Sequence, residues 1–233
     1  MKKIAYSFIA VLLTIAATLK VSAQAAETRQ VSGFNTISSA GPFNVHVKID
    51  GTESLKLTAS PDIIHEIVTE VENGNLKIKF KNHNPWRYDN IGPVDIYITA
   101  KSLSALNNAG SGSIKVEGEL NGENVKIALS GSGDIVSGVK SGDLHVSISG
   151  SGSVHLHGNS GETKISIAGS GEMLGKSFKT GSASVSIAGS GSAYLSADKE
   201  ISANIVGSGN VIYSGNASVE SRTIGSGRVS KED

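Results

Sequence analysis

Cysteine is missing from all 233 residues. No disulfide can staple the fold and no thiol can carry a lipid, so order must come from burial and backbone hydrogen bonding. Excess charge is missing too: 21 basic residues balance 21 acidic ones. Such a chain has no electrostatic claim on DNA, RNA or an anionic membrane. Long apolar runs are missing after the first 25 residues, which leaves nothing in the body of the protein to span a bilayer.

The one apolar run, Ile4 to Leu19, follows Lys2 and Lys3 and is closed by Lys20. Val21-Ser22-Ala23 and Ala23-Gln24-Ala25 both fit the small-x-small pattern read by a signal peptidase. The run is also shorter than the roughly 20 residues a membrane span needs. Residues 1–25 therefore read as a secretory leader, which implies export to the periplasm, the outer-membrane surface or the medium. Removing Lys2, Lys3 and Lys20 leaves 18 basic against 21 acidic residues, a net charge of −3 on 208 mature residues. That length suits one large domain or two modest ones.

What the chain has in quantity is repetition. The triplets Gly110-Ser111-Gly112, Gly131-Ser132-Gly133, Gly150-Ser151-Gly152, Gly169-Ser170-Gly171, Gly189-Ser190-Gly191, Gly207-Ser208-Gly209 and Gly225-Ser226-Gly227 recur at intervals of 21, 19, 19, 20, 18 and 18 residues. Between them Val125 to Leu129, Leu144 to Ile148, Ile165 to Ile167 and Val185 to Ile187 alternate apolar and polar, the mark of strands with one buried face. A flexible Gly/Ser linker would not alternate. One coil buries too few side chains to offset its backbone ordering, on the order of 20–40 kcal/mol, so coils must stack. The expected fold is all-β, a right-handed parallel β-helix of seven coils about 30 Å long. The Leu-x-x-Leu-x-Leu signature of leucine-rich repeats and the Gly-Gly-x-Gly-x-Asp pattern of calcium solenoids are both absent. Parity places both glycines of each triplet inward, at a bend too narrow for a Cβ, and the serine outward. Val206 and Ile224 fall on the outward parity, which reads as a lapse of register in the last two coils.

Residues 27–105 lack the triplet and read as an irregular β module capping the solenoid of residues 106–233. Phe43 to Ile49, Leu55 to Leu57 and Val94 to Ile98 alternate like strands, and Asn73-Gly74 marks a hairpin. Pro61 to Ile67 suggests one short helical turn. At the other end Arg228, Lys231, Glu232 and Asp233 place charge on the last coil, which discourages edge-to-edge pairing. The leader, Phe34-x-x-Ile37 with Gly41-Pro42-Phe43-x-Val45-x-Val47, Asn73-Gly74-Asn75-Leu76-Lys77-Ile78 and the repeated triplets together resemble the "putative auto-transporter adhesin, head GIN domain" family of Bacteroidetes-type bacteria. The resemblance covers nearly all the mature chain and implies a β-helical, exported protein without catalytic residues.

Candidate sites are few. Trp86, Arg87 and Tyr88 share a loop-like stretch, Lys81 to Asn90, and these residue types favour binding hot spots; covering the junction of module and solenoid is the plain alternative. The serines Ser111, Ser132, Ser151, Ser170, Ser190, Ser208 and Ser226 would form a column about 4.8 Å apart. That column either offers hydroxyls to a repetitive ligand or hydrogen-bonds along itself to satisfy the turn. His145, His155 and His157 would hold a metal only if adjacent coils brought them together. A polysaccharide lyase or hydrolase on a β-helix would need clustered acids, and Asp134, Asp143, Glu162, Glu172 and Asp198 look scattered. The reading is a non-enzyme with no cofactor and no metal. Its expected partner is a glycan or an envelope protein, and its oligomeric state is not specified.

Overall fold

Alternation becomes strand almost throughout the protein, which a computed structural model describes over residues 24–82 and 91–232. The repeats form β9 (Ser113–Gly131), β10 (Asp134–Gly150), β11 (Ser153–Gly169), β12 (Glu172–Gly189) and β13 (Ser192–Gly207), each running from one triplet to the next. They stack in parallel, with Gly131 opposite Gly150, Gly150 opposite Gly169, Gly169 opposite Gly189 and Gly189 opposite Gly207. The last turns are made by β14 (Asn210–Ser214), β15 (Ser218–Gly225) and β16 (Arg228–Lys231). This is the expected all-β parallel solenoid. Its core is built of columns, such as Leu129–Ile148–Ile167–Ile187–Ile205 before the triplet and Ile114–Ile135–Val154–Met173 after it. Each fully buried Ile, Val or Leu contributes about 1.5–3 kcal/mol.

The triplet corners differ from the parity expectation in one respect. In the first six triplets the second glycine is buried, but the first is not. Gly131 has φ +116, a left-handed conformation that turns it out of the alternation. A Cβ there would lie 2.5 Å from the Gly110 carbonyl oxygen of the coil below. A Cβ on Gly152 would overlap the Gly133 carbonyl oxygen and come within 2.8 Å of Leu129 Cδ2. Glycine is thus required by the neighbouring coil as well as by the interior. The corner's hydrogen bonds show why: Gly131 O accepts from both Ser151 N–H and Gly152 N–H at 3.0 Å. Register does not lapse at the end of the rod, because Ala188 faces Val206 and Val206 faces Ile224. Apolar residues simply occupy an outward column there, 48% and 56% exposed.

The N-terminal module is irregular and interlocked with the stack. Its strands are β1 (Ala25–Arg29), β2 (Thr36–Ala40), β3 (Asn44–Ile49), β4 (Ser54–Ala59), β5 (Ile67–Glu72), β6 (Asn75–Phe80), β7 (Asp95–Ala100) and β8 (Ala105–Gly110), with the single turn α1 (Pro61–Ile64). β2 and β3 lie directly beneath β8 and β9, and β6 and β7 lie beneath β2 and β3, all in parallel. Gly41-Pro42-Phe43 therefore occupies a triplet's place: Gly112 N–H donates to Gly41 O, and Ser113 N–H to Phe43 O. Phe43 stands where later coils have the buried glycine, and its ring packs on Phe80 at 4.8 Å. Antiparallel strands close the end, β5 on β6 and β1–β4 on β7. The β5–β6 hairpin turns at Asn73 (φ 52) and Gly74 (φ 76), as its Asn-Gly signal requires.

Candidate recognition surface

Outward residues form ladders as regular as the core columns. One ladder crosses the strands in the order Lys56, Tyr97, His46, Lys115, Val136, His155, Leu174, Tyr194 and Ile212. Tyr97 is 48% exposed, and Val136, Leu174, Tyr194 and Ile212 are half-buried. Large apolar and aromatic side chains thus line up on an open sheet face. Lys176 sets its ammonium 5.7 Å above the Tyr194 ring and pairs with Glu232. The Glu232 carboxylate beside it holds the Lys176 ammonium above the usual lysine range.

At the N-terminal end this ladder becomes the wall of a trough of about 680 Å³. Lys56, Tyr97, His46 and Lys115 make one side; Ser54, Thr99, Lys48 and Glu117 make the other; Val47, Ile98 and Val116 lie between. The trough crosses four strands, about 14 Å along the solenoid axis. Tyr97 and His46 stack with centroids 5.0 Å apart and planes 16° from parallel. His46 Nε2 lies 3.5 Å from Asp95 Oδ1, which also accepts from Asn44 Nδ2 at 3.2 Å. Ser54 and Thr99 share a hydrogen bond of 2.9 Å, and Thr52 Oγ1 donates to Asp50 Oδ1 at 2.7 Å. The Thr52 hydroxyl and backbone N–H hold the Asp50 carboxyl below its usual range. Lys48, Lys56 and Lys115 have no ion-pair partner among the described residues.

A second hollow, about 410 Å³, opens on the face that precedes the triplets. Here Asp143 and Glu162 occupy adjacent coils in one column, with His145 and Lys164 beside each other in the next. These two acids are therefore neighbours rather than scattered, which their 19-residue spacing could have revealed. Asp134 and Glu172 are separated by Ser153 in a different column.

The other sequence candidates divide. Trp86, Arg87 and Tyr88 lie outside the described residues. The serine column stands exposed along the corner, but no described hydrogen bond uses its hydroxyls. The bonds that close the turn come from its backbone N–H groups instead. A hydroxyl ladder does exist, at a different bend: Ser141 Oγ donates to Ser160 Oγ at 3.2 Å, and Thr163 Oγ1 to Thr180 Oγ1 at 2.9 Å. Gly142, Gly161 and Gly181 follow it in a second glycine column, a shallower repeat that went unread beside the triplets. His145 sits before the triplet corner and His155 and His157 after it, so the three do not converge. Among the described residues no group of three His, Cys, Asp or Glu side chains could hold a metal, and no helix is long and apolar enough to cross a membrane.

Solved structures share this architecture. A "putative adhesin" from Bacteroides fragilis aligns over 90% of this chain and 97% of its own, with TM-score 0.81 and 22% identity. A "putative adhesin" from Parabacteroides merdae aligns over 90% and 96%, with TM-score 0.72 and 22% identity. A "putative lipid binding protein" from Parabacteroides distasonis aligns over 90% and 97%, with TM-score 0.72 and 24% identity. At these identities the likeness shows the fold. No curated protein matches the chain. The profile of one family matches residues 33–217, and on that match the chain belongs to the family described as "Putative auto-transporter adhesin, head GIN domain".

Proposed function

We propose that this protein is exported and serves at the cell envelope or surface as a non-catalytic, adhesin-like recognition rod that binds a glycan or protein partner. The outward ladder from Lys56 to Ile212 carries this reading, since it aligns the exposed Tyr97 with half-buried Val136, Leu174, Tyr194 and Ile212 on one sheet face, and contiguous apolar groups at a surface mark interaction sites. Membership of the family supports the adhesin-like role, and the leader-like residues 1–25 support export. The Asp143–Glu162 pair does not argue for catalysis. Glu162 is exposed, and among the described residues neither carboxylate has an ion-pair partner to orient it.

Two measurements test the proposal. Expressed in a Bacteroidetes host, the protein should appear in the envelope or medium with its leader removed near Ala25; retention of Met1 in the cytoplasm would end the export reading. Purified mature protein should bind a glycan array or intact envelope, and Tyr97→Ala or Trp86→Ala should weaken that binding with the thermal midpoint unchanged. Loss with only one variant assigns the contact to the trough or to the Trp86–Arg87–Tyr88 segment. Full binding by both would remove these two contacts; no binding by the unaltered protein, or turnover of a polysaccharide abolished by Glu162→Gln, would sink the reading.

A further inference from the structure

The geometry points to the trough between Tyr97 and Lys48 as a subsite for an acidic oligosaccharide, laid along the solenoid axis. This rests on the recognition role above and names the ligand's chemistry. Three observations converge on it.

The first is charge. The mature chain carries −3, yet the trough is lined by Lys48, Lys56 and Lys115 against the single carboxylate of Glu117. Three of the module's other lysines are paired, Lys77–Glu72, Lys79–Glu70 and Lys101–Glu53, at 2.5, 2.7 and 2.8 Å. Lys56 and Lys115, on the wall with Tyr97, have no ion pair among the described residues, while Lys48 opposite stands beside Glu117 and in the field of Asp50; the two free ammoniums suit an anion lying along their wall.

The second is the mix of wall chemistry. Tyr97 and His46 offer a stacked aromatic block, while Ser54 and Thr99 offer hydroxyls on the opposite wall. Pyranose rings present apolar C–H faces and polar hydroxyl edges, so one wall can pack and the other can hydrogen-bond. A purely ionic ligand such as free phosphate would have no use for the aromatic wall.

The third is the backbone beneath. An extended peptide gains most of its affinity by adding a strand to a free sheet edge. Here the floor is β4, β7, β3 and β9, each already paired to the next, and the trough runs across them. A peptide main chain would find no free strand edge to join, whereas a sugar chain can be held by side chains alone. The length of about 14 Å accommodates a short oligosaccharide rather than a single residue.

The test uses full-length mature protein and isothermal titration. The probes are uronate, sialylated and sulfated oligosaccharides of two to four units, their neutral or esterified counterparts, and oligoglutamate. At least one acidic sugar should bind, with its neutral counterpart about tenfold weaker or worse and with affinity falling as salt rises. Lys56→Gln/Lys115→Gln should lose about tenfold without moving the thermal midpoint. Tyr97→Phe should retain binding and Tyr97→Ala lose it. Equal binding of acidic and neutral sugars, indifference to the double variant, tighter binding of oligoglutamate, or no binding by any sugar would overturn the assignment. If the panel fails while the protein still binds envelope, only this subsite falls; if envelope binding fails as well, the recognition role falls with it.

Discussion

A glycine in this protein is needed where another coil's backbone occupies the space its side chain would take. Gly152 shows the requirement most plainly, because an added methyl would overlap the Gly133 carbonyl and press on Leu129. Gly152→Ala should therefore cost about 2–3 kcal/mol, read as a lower urea midpoint at constant slope. Gly122 provides the control. Its nearest neighbour to an added Cβ is Asn124 O at 3.9 Å, and its φ is not left-handed. Gly122→Ala should be neutral or stabilising by about 0.5 kcal/mol through the unfolded chain. If the two variants prove equally destabilised, glycine is being kept for some reason other than the clearance between coils.

The scale of elements explains both what could be read from the sequence and what could not. The triplets are local and recur in order, so the strands of β9 to β13 and their columns follow from spacing alone. The Asn73-Gly74 turn is equally local. Gly41-Pro42-Phe43 escaped because Phe43 replaces the diagnostic glycine, and because β2 and β3 enter the stack above strands that come later in the chain. The trough was illegible for the same reason. Lys56, Tyr97, His46 and Lys115 become neighbours only through that out-of-order stacking, and no periodicity links them. Position in the stack also predicts stability. β10, β11 and β12 are paired on both sides, whereas all eight residues of β15 are exposed and it pairs only β13. Amide exchange should be slowest in β10 to β12 and fastest in β15 and β16, by opening of the end rather than of the whole rod. Uniform protection from β9 to β16 would contradict a stack that frays from its end.

At the scale of the molecule, carboxylates held by specific partners gather in the capped end. Among the described residues four carboxyls are held below their usual range: Glu27 by its hydrogen bond to Arg29, Asp50 by Thr52, Glu53 by Lys101 and Glu72 by Lys77. All four lie in the N-terminal module. Two of the described lysines are raised, Lys79 in the module by Glu70 and Lys176 in the repeats by Glu232. A carboxyl depressed in the folded state contributes stability above its unfolded value, and loses it as pH falls through the folded value. A raised lysine contributes below its unfolded value and loses that contribution as pH rises through the folded one. The stability these groups supply is thus constant between about pH 5 and 9.5 and falls away on either side. These four carboxyls lie in the cap, so lowering the pH below about 4 should loosen β1, β4, β5 and β6 before the glycine-cornered coils, which are held by apolar columns. Peptide-resolved hydrogen exchange across an acid titration reads this directly. Early loss of protection in β10 to β12, or loss everywhere at a single pH, would show that the cap and the rod are one cooperative unit.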